Sequence, residues 1–122
     1  MNTWIQKSDY SSTELETNNV NEIIEIFKNY NWLNELNKRD DSDNDCDPGL
    51  GITQSDDSVL HICPIDDKHY YVTYLYSKTK KIFGLFSMNS NEEHYLEKVD
   101  SNQAIELIKL HYNNNRNEIL KH

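Results

Sequence analysis

Nine aspartates lie between residues 40 and 67 with no lysine or arginine in the interval, and carboxylates at this density can bind a cation or a basic partner. They are Asp40, Asp41, Asp43, Asp45, Asp47, Asp56, Asp57, Asp66 and Asp67. Their number equals the formal net charge of −9, because the other 12 acidic residues are matched by 12 Lys and Arg. The net charge is therefore local, and we take these nine aspartates as candidate partner-binding residues.

The first five of these aspartates match a calcium-binding loop only in part. Asp41, Asp43 and Asp45 occupy alternate positions, from which carboxylate oxygens can converge on one ion. The sixth position of the loop would be Cys46, where glycine permits the sharp turn, and the twelfth would be Ile52, where a bidentate Glu is needed. We therefore predict no metal site. A solvated acidic loop and an acidic surface that docks a basic protein both remain open, and we favour the second.

One pair of side chains has a spacing suited to nucleophilic catalysis. His61 and Cys63 are two residues apart, so on a β-strand they share a face and bring a thiol beside an imidazole. This spacing more often reflects two neighbouring side chains of the core than a catalytic pair. No His or Cys has zinc-site spacing, and Gly49-Leu50-Gly51 lacks the third glycine and the helix of a dinucleotide-binding loop. We therefore predict no catalytic residue and no cofactor.

Length and composition favour a small protein that acts by binding. A chain of 122 residues, of which 36% are apolar, predicts a single domain over residues 1–122. No apolar stretch reaches the roughly 18 residues of a membrane span, and the N-terminus lacks a signal peptide, so we expect no membrane partner. Two cysteines are too few for a disulfide framework and favour a reduced, cytoplasmic protein. The negative net charge opposes nucleic-acid binding.

Two amphipathic segments predict the main helices. Asn19 is a favourable N-cap for a helix over Val20 to Tyr30, in which apolar residues recur at helical spacing. The apolar residues between Trp32 and Leu36 predict a further turn or a short second helix. Asp100 or Ser101 caps a final helix, whose predicted buried stripe consists of Ala104, Ile105, Ile108 and Tyr112.

Short runs of β-forming residues, separated by turns, predict a sheet. The predicted strands are Thr3 to Lys7, Leu50 to Gln54, Val59 to Cys63, Lys68 to Ser77, Lys81 to Met88 and, at an edge, Glu92 to Val99. Between them we predict a loop over Ser8 to Asn18 and turns over Ser77 to Lys80 and Asn89 to Asn91. Consecutive strands without intervening helices imply an antiparallel meander of four to six strands, with an N-terminal and a C-terminal helix packed on it. The predicted fold class is α+β.

Five strings of residues follow one another in an order that resembles a known family. They are Asp47-Pro48-Gly49-Leu50-Gly51-Ile52, Leu60-His61-Ile62-Cys63-Pro64, Tyr71-Val72-Thr73-Tyr74, Ile82-Phe83-Gly84-Leu85-Phe86 and Ala104-Ile105-Glu106-Leu107-Ile108. Over roughly residues 30–112, this layout resembles the small immunity proteins of bacterial contact-dependent growth inhibition and related polymorphic toxin systems.

The resemblance implies a non-enzymatic cytoplasmic inhibitor. Such a protein binds the C-terminal toxin domain delivered by a neighbouring cell and blocks its active site. Many of these toxins are nucleases with basic surfaces, and an acidic inhibitor mimics the charge of their substrate and associates rapidly. We therefore expect the partner to be a cognate toxin domain, basic and of the nuclease kind. The nine aspartates would dock it, with Trp32, Tyr70 and Tyr74 as aromatic anchors, because aromatic residues dominate interface hot spots.

Two other classes of function remain as alternatives. The first is a small intracellular adaptor or regulatory binding domain, which would use the same acidic surface on a host partner. The second is an enzyme, for which His61 and Cys63 are the best candidate pair. The gene neighbourhood distinguishes the immunity protein from the adaptor, because an immunity gene lies beside a toxin gene.

Overall fold

Six antiparallel strands and four helices make up the described part of the chain. The structure, a computed structural model, describes residues 2–7, 9, 11–37, 48–82 and 86–122, and the side chains of these ranges other than 78–82 and 86–90. The strands are β1 (Asn2–Gln6), β2 (Ser12–Leu15), β3 (Gly49–Thr53), β4 (Val59–Pro64), β5 (His69–Ile82) and β6 (Phe86–Asp100). The helices are α1 (Val20–Asn29), α2 (Trp32–Asn37), α3 (Ser101–Tyr112) and α4 (Arg116–Ile119). The predicted α+β class is confirmed.

The strands form one sheet in the spatial order β2–β1–β3–β4–β5–β6. β1 and β2 make a hairpin, after which the chain passes through α1 and α2 and returns to pair β3 with the free edge of β1. From β3 to β6 each strand pairs with the next, which is the meander that the sequence predicts. β4 ends its pairing with β5 at Val59 opposite Leu75, so beyond that point β5 and β6 continue as a two-stranded ribbon.

Capping residues define where the main helices begin. The Asn19 side chain accepts a 2.9 Å hydrogen bond from the backbone N–H of Asn21, at the start of α1. The Asp100 side chain accepts a 2.8 Å hydrogen bond from the backbone N–H of Gln103, at the start of α3. Both caps satisfy backbone donors that have no partner within the helix. The predictions of the first helix, the short second helix and the final helix are therefore confirmed.

Three predicted connections are wrong, and each one falls where the strands are polar. The predicted loop over Ser8 to Asn18 contains β2, whose residues are mostly exposed at the edge of the sheet and so show no alternation of apolar residues. The predicted turns over Ser77 to Lys80 and Asn89 to Asn91 lie inside β5 and β6, which are paired from Ser77–Asn91 to Ile82–Phe86. The polar residues at these two predicted turns show no apolar alternation by which a strand is recognised. The predicted strand Lys81 to Met88 is also wrong, because Lys81 and Ile82 end β5 while Phe86 to Met88 begin β6.

The core lies between the helices and one face of the sheet. On this face the side chains of Leu50, Ile52, Leu60, Ile62 and Val72 are almost completely buried. They meet the apolar stripes of α1 and α3, which include Ile23, Phe27, Leu107 and Ile108. Burial of each such side chain stabilises the fold by roughly 1.5–3 kcal/mol. The apolar face of the sheet is therefore the one that the helices cover.

Polar contacts fix the C-terminal end of α3 against β3. The Gln54 side chain donates hydrogen bonds of 2.8 Å and 2.9 Å to the carbonyl oxygens of His111 and Tyr112, which have no partner within the helix. His111 is itself buried, and its Nε2 lies 2.8 Å from the Ile52 carbonyl oxygen, as an N–H donor to that oxygen. Burial lowers the pKa of His111 below its ordinary value, because the charged ring would lose its hydration.

The buried imidazole predicts a specific loss of stability in mild acid. His111 is neutral in the folded protein, while in the unfolded chain it takes up a proton below about pH 6.5. The free energy of unfolding should therefore be highest above that pH and fall as the pH drops towards 5, by at most about 1.4 kcal/mol per pH unit. Urea unfolding between pH 7.5 and 5 measures this slope. His111→Gln should reduce the slope, whereas His122→Gln, at the C-terminus, should retain it; equal slopes in both variants would contradict the assignment.

Candidate functional site

The described acidic residues of the candidate binding set lie at two opposite ends of the sheet. Asp56 and Asp57 lie in the turn between β3 and β4, while Asp66 and Asp67 lie in the turn between β4 and β5. β4 separates the two turns, and its six residues span roughly 20 Å. The other five predicted residues, Asp40, Asp41, Asp43, Asp45 and Asp47, fall outside the described residues.

Asp56 is used by the fold itself. Its carboxylate accepts hydrogen bonds from the backbone N–H and the hydroxyl of Ser58, and lies 3.2 Å from Nη2 of Arg116. The Ser58 hydroxyl, with the neighbouring Arg116 guanidinium, holds the pKa of Asp56 below its ordinary value. The same guanidinium lies 4.9 Å from the centre of the Tyr76 ring and donates to the Tyr74 hydroxyl at 3.4 Å. Arg116 therefore neutralises the Asp56 charge and ties α4 to β5.

Replacing Asp56 or Asp57 by Asn tests whether the contacts of Asp56 stabilise the fold. Asp56→Asn should lower the free energy of unfolding by about 1 kcal/mol, because it weakens the bonds from Ser58 and the ion pair with a partly exposed Arg116. Asp57→Asn is the matched control, since Asp57 is exposed and has a positive φ of 65° that asparagine adopts readily. Chemical denaturation of the two variants checks this, and an equal effect would contradict the structural role of Asp56.

The second acidic turn lies beside two of the predicted aromatic anchors. Asp66 accepts 2.8 Å hydrogen bonds from the backbone N–H groups of Lys68 and His69, and these bonds hold its pKa below the ordinary value. Asp67 is exposed. A shallow cavity of about 200 Å³ opens at this end of the sheet, and its lining includes Lys28, Trp32, Asp66, Asp67 and Tyr70. The structure thus brings four predicted binding residues together.

The three predicted aromatic anchors are, however, mainly core residues. The exposed fractions of Trp32, Tyr70 and Tyr74 are 5%, 9% and 3%. Phe27 of α1 packs against Trp32 and Tyr70 at ring-centre distances of 6.0 Å and 5.1 Å, so the helices cover these rings. A partner that docks on this conformation meets the rim of Trp32 and Tyr70 and almost none of Tyr74. The anchors are not exposed because the helices cover the face of β5 that carries Tyr70 and Tyr74, and Trp32 of α2 packs against Phe27 and Tyr30.

The opposite face of the sheet carries aromatic and apolar side chains that sequence reasoning did not place in the binding site. We call this face the open face, because no helix in the described part of the chain packs on it. Its main side chains are Trp4, Val59, His61, Cys63, Tyr71, Thr73, Leu75 and Tyr95, all of them partly buried or exposed. The register of the hairpins could have identified it. Leu60 and Ile62 are more apolar than His61 and Cys63, and pairing across β4 and β5 then places Tyr70 and Tyr74 inside and Tyr71 outside.

Glycines allow Trp4 to lie flat on the open face. Trp4 is directly opposite Gly51 in the register of β1 and β3. A Cβ atom added to Gly51 would overlap with the indole atoms Cε2 and Cζ2 of Trp4, so the ring rests on the glycine backbone. Only a residue without a side chain permits this approach.

Gly51→Ala should therefore destabilise the fold through Trp4. We expect a loss of about 1–3 kcal/mol, because the indole must leave its position or the strands must shift. In a Trp4→Leu background the same substitution should cost at least about 1 kcal/mol less, since the overlapping ring is gone. Urea unfolding of the four proteins of this double-mutant cycle measures the difference. An equal cost of Gly51→Ala in both backgrounds would show that the ring is not the obstacle.

The His61 and Cys63 pair also lies on the open face, as its spacing predicts. The Cys63 Sγ is 3.4 Å from Nδ1 of His61, and both side chains are partly buried. Gly49 leaves room for them, because a Cβ at that position would lie 3.0 Å from the Sγ and 3.1 Å from Nε2. Within the described ranges, no group of three or more His, Cys, Asp and Glu residues is arranged to hold a metal ion. The helices described here are also too short or too polar to cross a membrane.

Comparison with protein-family models, with curated proteins and with solved structures gives no significant match for this chain. The functional argument therefore depends on its own charges and surfaces.

Proposed function

We propose that this chain is an immunity protein, which binds and neutralises a cognate bacterial toxin domain. The partner is a basic domain of the nuclease kind, and the acidic surface covers its active site. One observation carries the proposal: all of the net charge of −9 can be assigned to the interval between residues 40 and 67, which contains nine aspartates and no basic residue. A binding protein for a basic active site needs a field of this sign in one region.

The position of the described acids supports docking at one end of the sheet. Asp66 and Asp67 lie in the turn that follows β4. Leu50 pairs with Ile62, so Pro48, which follows the five aspartates of residues 40–47, lies at the same end of the sheet as that turn. Asp56 is paired with Arg116 at the other end and contributes less charge to a partner. The docking role therefore falls mainly on Asp66, Asp67 and the aspartates before Pro48.

Charge of this kind acts chiefly on the rate of association. Complementary potentials steer two proteins together and can raise association rates to about 10⁸ M⁻¹ s⁻¹ or more at low salt, and added salt reduces the effect. For an inhibitor of a toxin that damages nucleic acid, rapid capture limits the damage done before neutralisation. The acidic surface suits this task without any catalytic residue.

The test uses the toxin encoded immediately upstream of this gene. Co-expression should protect cells from that toxin, and the two purified proteins should form a complex. Replacing Asp40, Asp41, Asp43, Asp45 and Asp47 by Asn should slow association at least about tenfold at low salt, as measured by stopped-flow mixing. Failure to protect cells and to bind would overturn the immunity function.

A matched control removes the same number of charges elsewhere. The exposed glutamates suited to this control are Glu16, Glu22, Glu25, Glu106 and Glu118. Their replacement by Gln should slow association much less than the aspartate variant does. Equal slowing by both variants would show that only net charge matters and would overturn docking by the acidic segment.

A further inference from the structure

We propose that the open face of the sheet, centred on Trp4, His61 and Tyr95, is the surface that holds the basic partner after the acidic residues have attracted it. This inference rests on the proposed function, because it names the surface of contact with the same partner. It adds a set of residues that the charge pattern does not reveal.

Cross-strand neighbours form a continuous row over the whole open face. Trp4 is opposite Gly51, Gly51 is opposite His61, His61 is opposite Thr73 and Thr73 is opposite Tyr95. With Glu14, which is opposite Trp4, this row crosses all six strands. At about 4.8 Å per strand its width is roughly 24 Å. One partner's share of a standard interface, about 800 Å², corresponds to a square patch roughly 28 Å on a side, which is comparable with this width.

The side chains of this row and its neighbours have the types found at interface centres. Tyr95 and Leu75 are 47% and 36% exposed, which is high for large apolar side chains on a sheet. Tyr71 packs on Tyr95 at a ring-centre distance of 6.0 Å, and the Tyr95 hydroxyl donates to the Glu93 carboxylate. Trp and Tyr are enriched among the residues that contribute most to binding. The face therefore offers Tyr95, an aromatic side chain far more exposed than Trp32 and Tyr70 beside the second acidic turn.

The open face is also arranged before a partner arrives. The indole of Trp4 is held against Gly51, and the hydroxyl of Tyr95 is held by Glu93. The indole fills the space over Gly51, and His61 and Cys63 fill the space over Gly49, so a partner meets these side chains in an arrangement that already exists. Side chains already fixed in place lose less conformational entropy on binding, which favours affinity.

Charge decides which occupant suits this face. The row through Trp4 ends at Glu14, and the next row, Asn2–Thr53–Val59–Leu75–Glu93, ends at Glu93. These two rows carry no Lys or Arg. Beside Tyr71, the opposite charges of Glu97 and Lys98 offset each other. A second copy of the chain would bring together two proteins of charge −9 and two sets of these glutamates. A partner with an apolar centre and a basic rim is the complementary occupant.

A photo-crosslinking experiment locates the contact surface on the full chain. The crosslinking amino acid p-benzoylphenylalanine replaces Tyr95 on the open face or, as the control, Glu106, which is exposed on α3 of the helical layer. After irradiation in cells of the source organism, the adducts are identified by mass spectrometry. We expect a discrete adduct with a basic protein at position 95 and none at position 106. An adduct at position 106 alone, no adduct at position 95, or an adduct between two copies of the chain would overturn the proposal.

Binding measurements with the identified, purified partner complete the test. Tyr95→Ala should weaken its affinity at least about tenfold, and Glu106→Gln should change it less than about twofold. Trp4→Leu should weaken binding similarly, and circular dichroism checks that this variant is folded, since Trp4 packs on Gly51. Unchanged affinity of a folded Tyr95→Ala variant would overturn the open-face proposal.

The outcomes separate this proposal from the immunity function. A basic partner that crosslinks at position 95 but is not a toxin supports the open face and overturns the immunity role. A toxin that is neutralised without any contact at position 95 supports the immunity role and overturns the open face.

Discussion

Burial of one face of the sheet is the interaction on which the rest of the structure depends. Only 36% of the 122 residues are apolar, and the described core uses them between one face of six strands and the helices. α1 and α3 supply most of the covering layer, and His111 and Gln54 hold the end of α3 on β3. The open face consequently retains partly exposed Trp4, Tyr71 and Tyr95. One-sided burial is stable in antiparallel sheets, and it leaves a broad surface for another use.

The two acidic turns illustrate how local structure divides residues of one type between two roles. Asp56 and Asp66 each accept hydrogen bonds from backbone N–H groups of their own turns, which is the usual reason for an aspartate at such positions. The residues that follow them, Asp57 and Asp67, are exposed and do not have this role in the turns. The first carboxylate of each pair holds its turn and stays about half exposed, at 45% for Asp56 and 50% for Asp66. The charge of Asp56 is compensated by Arg116, so counting aspartates in the sequence overestimates the uncompensated charge at that end of the sheet.

Much of the fold could be predicted from the sequence, because apolar periodicity and capping residues mark the elements that build the core. Asn19 and Asp100 define the starts of α1 and α3, and the alternation around Leu60 and Ile62 defines β4. β2 and the continuous pairing of β5 with β6 beyond Ser77 could not be predicted, because the polar residues of β2 and of the stretches 77–80 and 89–91 resemble loops and turns. The sequence shows the acidic residues of the candidate site, but it does not show which of them make hydrogen bonds within their own turns. Which face of β5 the helices cover depends on pairing with β4, and this decides that Tyr70 and Tyr74 are core residues while Tyr71 lies on the open face.

Attraction and retention of a partner make different physical demands, and under the two proposals different residues of the chain would meet them. A steering field acts over about a Debye length, roughly 8 Å in physiological salt, so exposed aspartates at one end of the sheet can serve it without close packing. A long-lived complex requires desolvated contacts, which depend on fixed shape and on aromatic side chains such as Trp4 and Tyr95. Aspartates buried under a partner would lose their hydration and would require close ionic partners. Under the proposals, attraction by aspartates outside the open face would avoid that cost and would allow association rate and dissociation rate to vary independently.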